Sequence, residues 1–118
     1  MWMLLVIGLG GAVGAIARYS LGLLFVGQTF PWGTLTINVA GSFIIGVLWS
    51  LCGEQDWFLS WGRGFLLVGI LGGFTTFSAF SLETLLLINN GRIAVATTYV
   101  MASVGLCLLS VWLGSRIA

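Results

Sequence analysis

The sequence predicts an all-α membrane protein with four transmembrane helices in each subunit. Only 6% of its 118 residues are charged, whereas soluble domains carry roughly 25%. Hydrophobic types make up 59% of the chain, and the mean hydropathy is +1.15. A bilayer-spanning helix needs about 20 mostly apolar residues, so four such helices with short connections fill the chain. Residues 1–118 are therefore expected to form one multi-pass domain in the cell (inner) membrane, surrounded by the lipid bilayer.

The same composition excludes several classes of protein. A soluble enzyme is excluded because so few charged residues cannot cover a water-facing surface. A nucleic-acid binder is excluded because four arginines without any lysine cannot neutralise a phosphate backbone. Two cysteines, Cys52 and Cys107, lie far apart in or beside apolar stretches, and the chain has no histidine to join them in a metal site. We interpret both thiols as small packing residues.

The first two spans are separated by a short turn. The first covers about residues 3–25 and is interrupted only by Arg18. The segment from Gly27 to Pro31 forms the turn, and its proline is well placed to begin the next helix. The second span covers about residues 32–52, and a polar connection follows at residues 53–56.

The third span is long and is predicted to be broken in mid-membrane. It covers about residues 62–88, with Gly72 to Thr76 near its middle. A break at membrane depth is tolerated only where it is buried in protein or lines a cavity. The segment from Asn89 to Arg92 is the clearest turn in the sequence, and the fourth span covers about residues 93–113.

The arginines give no bias for the orientation of the protein in the membrane. Four spans put both termini on one side, together with Arg63 and Arg116, and leave Arg18 and Arg92 on the other. Orientation normally follows a Lys/Arg excess in short loops. We therefore hypothesise that the chain inserts in both orientations and works as an antiparallel, dual-topology homodimer. The alternative is that one or two charges still select a single orientation.

Two sets of polar residues repeat at every fourth position and so share one helix face: Thr34, Asn38 and Ser42 in the second span, and Tyr99, Ser103 and Cys107 in the fourth. Hydrogen bonding between helices is one interpretation. A polar track across the bilayer is the other, because a mid-membrane asparagine has several groups to satisfy in dry surroundings. Neutral donors beside a single carboxylate, Glu83, suit an anion better than a cation.

Two phenylalanines in the third span are further candidates for contact with an anion. Phe77 and Phe80 lie three residues apart just past the expected break. An aromatic ring has a positive edge, so two rings presented edge-on would partly replace water around a small anion; ordinary helix packing is the alternative.

The spacings Gly10-x-x-x-Gly14 and Gly69-x-x-x-Gly73 permit close backbone approach and favour packing over a site.

Three segments resemble signature segments of the bacterial fluoride channels (Fluc, also called CrcB): Gly11 to Tyr19, Gly33 to Phe43, and Gly72 to Glu83. The likeness covers essentially the whole chain. It implies a passive channel through which fluoride leaves the cytoplasm, which protects the cell from fluoride toxicity. It also implies an antiparallel dimer that encloses two pores and holds a structural sodium ion at its centre.

The resemblance implies a role for individual residues along the fluoride route. Asn38 would donate to fluoride, and Phe77 and Phe80 would present their ring edges. Further polar contacts would come from Thr34, Ser78, Tyr99 and Ser103.

The resemblance also implies a cation site and two residues at the ends of the route. The backbone carbonyls of Gly72 and Thr75 from each subunit would bind sodium. Arg18 would lie near a vestibule and Glu83 near a pore end.

Two positions depart from the family pattern. Cys107 stands where a hydroxyl or another small residue is expected, and a thiol is a weaker donor. Ala79, between the two phenylalanines, replaces a commoner threonine.

Two other functions fit a small four-span chain. A multidrug antiporter needs an ionisable residue in the membrane for proton exchange. Its acid is expected in the first span, which here offers only Arg18, so that Glu83 would have to serve instead. A non-conducting membrane assembly subunit agrees with the 18 glycines but leaves the polar stripes unexplained.

Overall fold

In the computed structural model, which describes residues 1–117, every regular element is helical. Helix α1 covers Trp2–Gly22 and ends in a 3₁₀ turn at Leu23–Phe25, and α2 covers Trp32–Cys52. The third span extends over Phe58–Asn89, and the last helix covers Ile93–Ser115. These four segments are long and apolar enough to cross a membrane, which confirms the predicted number of spans.

The third span consists of two differently wound halves. Its first half is π-helical at Phe58–Gly62 and Gly64–Leu71 and continues into one α-helical turn, α3, at Gly72–Phe74. Its second half is α4, Phe77–Asn89, so the last helix, Ile93–Ser115, is α5. The span begins four residues before the predicted start at Gly62, because Phe58 is already helical and fully buried.

The predicted break in the third helix is confirmed within the predicted segment, and the residues that leave the helix are its two threonines. Thr75 (φ −85°, ψ 157°) and Thr76 (φ −152°, ψ 120°) are extended between α3 and α4. Gly72 and Gly73 remain helical. Glycine permits an unwound backbone without requiring it, and other contacts decide where the helix opens.

The glycines instead allow α1 to lie against the backbone of the third span. A side chain on Gly14 would collide with the carbonyl oxygen of Ile70, and one on Gly73 would collide with Gly11. Gly10 and Gly69 meet in the same seam, where a Cβ on either would lie 3.2 Å from the Cα of the other. The glycine spacings are therefore packing motifs, as interpreted from the sequence.

The helices form two closely packed pairs. One pair is α1 with the first half of the third span, and the other is α2 with α5. Gly46 and Gly114 bring the backbones of the second pair together. Helix α4 packs on α5, where Phe80 and Tyr99 belong to the main buried cluster.

Gly14→Ala is expected to destabilise the protomer, because overpacking a filled interface costs about 1–3 kcal/mol. Its Cβ would collide with backbone atoms of Ile70 and Phe74, which cannot rotate away. Gly8→Ala is the matched control on the same helix, since a Cβ there has no neighbour within 4 Å among the described residues. The measurement is the thermal unfolding midpoint of each purified variant in detergent. Equal midpoints for both variants would contradict the packing role of Gly14.

Candidate functional site

The side chain of Asn38 on α2 holds the helix break. Its Nδ2 donates to the carbonyl oxygen of Thr76 at 3.0 Å, and its Oδ1 accepts from the N–H of Thr76 at 2.9 Å. The amide oxygen thus replaces the helical acceptor of the Thr76 N–H, and the amide nitrogen adds a hydrogen bond to the carbonyl of this N-cap residue. One N–H of Nδ2 remains for another acceptor. The mid-membrane asparagine therefore satisfies the backbone at the break.

The same contacts release backbone carbonyls on the other side of the break. Because Thr76 N–H is bonded to Asn38, it does not bond to Gly72, its acceptor in a continuous α-helix. The N–H of Ala79 donates to Thr76 Oγ1 at 3.1 Å and so does not serve Thr75. Gly72 and Thr75 thereby lose the donors that normally satisfy their carbonyls. Unwound carbonyls of this kind coordinate small cations in broken membrane helices.

Arg18 on α1 also forms a hydrogen bond at this break. Its Nε donates to the carbonyl oxygen of Gly73 at 3.1 Å. The guanidinium therefore lies at the carboxyl end of α3, where a positive charge interacts favourably with exposed carbonyls. Of the carbonyls from Gly72 to Thr75, this one is occupied by a side chain.

A cavity of about 540 Å³ extends from the loops at one end of the bundle to the break, and we call it the vestibule. Arg18 and Arg92 line it with one acidic residue, Glu83, and it reaches Thr76 at its inner end. Arg92 also donates to the carbonyl of Thr29 at 3.2 Å, which fixes its side chain at the mouth. Two arginines against one carboxylate give the vestibule a net positive lining, which raises the local concentration of anions.

The carboxylate of Glu83 accepts hydrogen bonds from hydroxyl groups on two other helices. Thr34 Oγ1 on α2 donates to Oε2 at 2.9 Å, and Tyr99 OH on α5 donates to Oε1 at 3.0 Å. Both donors were singled out in the sequence as parts of separate polar stripes, and Glu83 brings them together. Because a carboxylate is itself an anion, these hydroxyls are already oriented to donate to negative charge.

A second cavity of about 310 Å³ lies beyond the break, and we call it the groove. Its polar and aromatic lining comes from Asn38, Ser42, Thr75, Thr76, Phe77, Phe80, Ser103 and Cys107. Thr76 lines both the vestibule and the groove, so the two cavities lie on either side of the same residue at the break. Ser103 is only 7% exposed, and its Oγ has no hydrogen-bond partner among the described residues. Ser78 lies outside both linings, with its hydroxyl 3.2 Å from that of Thr76.

The two phenylalanines have different surroundings. Phe80 is 9% exposed and packs on Tyr99 with ring centroids 5.1 Å apart, so it belongs to the core as well as to the groove. Phe77 is 77% exposed on the surface of the protomer, and its ring centroid lies 5.4 Å from that of Phe80. Packing within the protomer accounts for Phe80 but not for Phe77.

Comparison with known proteins identifies the family. The family model described as CrcB-like protein, camphor resistance (CrcB), matches residues 5–115. The chain belongs to the CrcB family. A relative from Opitutus terrae is 49% identical over 119 residues, covering 97% of this chain and 90% of its own length. One from Rhizobium meliloti is 45% identical over 114 residues, covering 94% and 91%. Both relatives bear the name fluoride-specific ion channel FluC.

Membership of the CrcB family agrees with the architecture. The four membrane-capable helices and the family together confirm a multi-pass protein of the cell membrane. The relatives are named as channels and not as enzymes. The resemblance noted in the signature segments is therefore confirmed over nearly the whole chain.

Some contacts in this CrcB-family chain were not predicted from the sequence. The pair of hydrogen bonds between Asn38 and Thr76, which we call the clamp, was not predicted, although an asparagine facing a predicted break was an available signal. The position of Arg92 in the vestibule was also missed. It follows from the turn that returns the end of α4 toward the start of α2, and no local pattern indicates it.

Proposed function

We propose that the chain is a fluoride-selective passive channel that lets fluoride leave the cytoplasm. The observation that carries this proposal is the pair of cavities that share Thr76, a vestibule with a net positive lining and a groove lined by neutral hydrogen-bond donors and two aromatic rings. A small, strongly hydrated anion needs closely placed donors in place of water, yet it must be held weakly enough to leave. Neutral hydroxyls and ring edges meet both requirements. The names of the relatives support the same ion.

The proposed route begins in the vestibule, where Arg18 and Arg92 attract the anion. Fluoride then takes the place of Glu83 as the acceptor for the hydroxyls of Thr34 and Tyr99. Passage continues beside the free N–H of Asn38 and the ring edges of Phe77 and Phe80 to Ser103 in the groove. Ser78 contributes a hydroxyl at the exposed start of α4.

The fluoride efflux of purified protein in liposomes tests this function. A fluoride electrode follows the ion, chloride serves as the control anion, and valinomycin with potassium balances the charge. Rapid loss of fluoride without loss of chloride is the expected result. Absence of fluoride loss would contradict the proposal, and proton flux driven by a drug gradient would instead indicate an antiporter that uses Glu83.

The proposed working unit is an antiparallel homodimer with two pores. The groove of one protomer is bordered by Phe77, which is largely uncovered. A second copy in the opposite orientation would cover this ring and complete the wall. Arg63 and Arg116 belong to one end and Arg92 to the other, while Arg18 lies at the break, so no large excess of positive charge opposes insertion both ways.

Dual insertion predicts that some copies of the chain expose the C-terminus on one side of the membrane and other copies expose it on the opposite side. Fusing the C-terminus to reporters that are active on only one side measures this directly, and activity of both reporters is expected. A variant with lysines added to the connection at residues 53–56 is the control, because extra positive charge should direct it to a single orientation. Activity in one compartment alone for the unmodified chain would exclude dual topology.

The proposed dimer also holds a structural sodium ion through the carbonyls of Gly72 and Thr75 from both copies. These carbonyls lose their helical donors at the break, and Gly72 is exposed on the surface of the protomer. Oxygen atoms of this kind suit a hard cation, whose charge would offset the unpaired carbonyl dipoles.

Sodium is therefore expected to raise the thermal unfolding midpoint of the purified protein above that in N-methylglucamine at equal ionic strength, because a ligand that binds only the folded state stabilises it. Thr76→Ala should reduce this effect, since it removes the acceptor of Ala79 N–H and returns that donor to Thr75. Thr76→Ser keeps the hydroxyl and is the matched control. A midpoint that does not depend on sodium would contradict the cation site.

A further inference from the structure

Cys107 is a thiol that the proposed route does not use, and it lies beside Ser103, the last residue of that route. Both residues line the groove and lie one turn apart on α5, where side chains at this spacing have their Cβ atoms about 5–6 Å apart. Cys107 is half-buried with a free thiol. Ser103 is more than nine-tenths buried, and its Oγ has no partner among the described residues. A buried hydroxyl without a partner leaves a polar atom open to a water, an ion or another ligand.

We propose that Cys107 and Ser103 together bind a soft, thiol-seeking monovalent cation such as Ag⁺ or Cu⁺, and that its binding closes the groove to fluoride. Thiolate sulfur is the ligand that soft cations prefer. The S–H bond of Cys107 breaks as the sulfur–metal bond forms, the proton passes to water, and no atom changes its oxidation state. Ser103 Oγ contributes a lone pair as the weaker second ligand.

Binding of the cation blocks fluoride by narrowing the groove. The groove has a volume of only about 310 Å³ and is bounded by Phe77 and Phe80, so a metal ion at Cys107 narrows it. The thiolate and the monovalent cation cancel in charge, so the complex is neutral and the block is steric.

The site is specific to one of the two thiols. Cys52 lies at the end of α2 and outside the lining of the groove. Cys107, by contrast, stands where a hydroxyl or another small residue is expected from the family pattern, so the site is a property of this chain.

Silver provides the probe for the binding half of the proposal, in a chloride-free nitrate buffer that keeps Ag⁺ in solution. Cys52→Ser leaves Cys107 as the single thiol, and Cys52→Ser/Cys107→Ser removes both. After desalting, the silver that each protein retains is measured by atomic emission. We expect equal amounts of silver and chain in Cys52→Ser, less in Cys52→Ser/Ser103→Ala, and none in the variant without thiols. Equal retention with and without Cys107 would overturn the site.

The blocking half rests on the proposed function and is measured as fluoride efflux with and without Ag⁺, each variant being compared with itself. Silver is expected to reduce the efflux of Cys52→Ser to the rate of protein-free liposomes and to leave the variant without thiols at its own silver-free rate. Retained silver with unchanged efflux would overturn the block. If no variant carried fluoride even without silver, the proposed function would fail, while silver retention would still decide the binding site.

Discussion

Asn38→Asp is expected to reduce fluoride efflux by at least about 100-fold, because an uncompensated buried charge costs about 3–5 kcal/mol. A carboxylate can still accept the N–H of Thr76, but it cannot donate to the carbonyl of Thr76 as Nδ2 does at 3.0 Å. The two oxygens would then repel each other across the break. The same negative charge would face fluoride in the groove, which Asn38 lines.

The efflux of this variant is measured beside its folding, by gel filtration and thermal unfolding in detergent. Thr36→Val is the matched control on α2, since Thr36 is exposed two residues away on a different face. Wild-type efflux from a well-folded Asn38→Asp protein would show that fluoride does not pass this residue.

Phe77→Ile is expected to reduce fluoride efflux about tenfold while leaving the stability of the protomer unchanged, because contacts with an aromatic ring contribute about 0.5–1.5 kcal/mol. Isoleucine keeps the apolar character of the site but has no positive ring edge. The ring of Phe77 is 77% exposed, so the protomer does not depend on it for packing. Selective loss of efflux would therefore identify the ring edge as a fluoride contact.

Two further variants separate conduction from packing. Phe80→Ile should reduce both efflux and the unfolding midpoint, because Phe80 packs in the buried cluster with Tyr99. Phe65→Ile, in the first half of the third span, should change neither the fluoride rate nor selectivity, since Phe65 lines neither cavity. Wild-type rates in both Phe77→Ile and Phe80→Ile would reduce these rings to packing residues.

The number of helices could be predicted from the sequence because the thickness of the bilayer fixes the length of an apolar span. The polar stripes could be predicted as well, since residues at every fourth position share a face whatever lies opposite them. The residues opposite could not be predicted. Thr34 and Tyr99 both donate to Glu83 because of the way three helices pack. The spacing of residues within each helix does not indicate which residues of other helices lie opposite.

The position of the break and the winding before it also depend on distant contacts. The break lies within the predicted segment, Gly72 to Thr76, but its exact place could not be predicted, because Gly72 and Gly73 stay helical against α1 and Asn38 opens the chain at Thr76. The π-helical winding of Gly64–Leu71 has no counterpart in the sequence pattern. A uniformly apolar segment has the same sequence pattern whether each N–H donates to the carbonyl four residues earlier, as in an α-helix, or five residues earlier, as in a π-helix.

The clamp between Asn38 and Thr76 has a consequence for the biogenesis of the protein. Lipid offers no partner for exposed backbone groups, so an opened third span is stable only where α2 already stands beside it. Helix α2 precedes the third span in the chain, so it leaves the ribosome first. We therefore expect the third span to enter the bilayer as an uninterrupted helix and to open on docking against α2. Insertion and formation of the break are separate events, and the order of synthesis provides the docking partner before the segment that needs it.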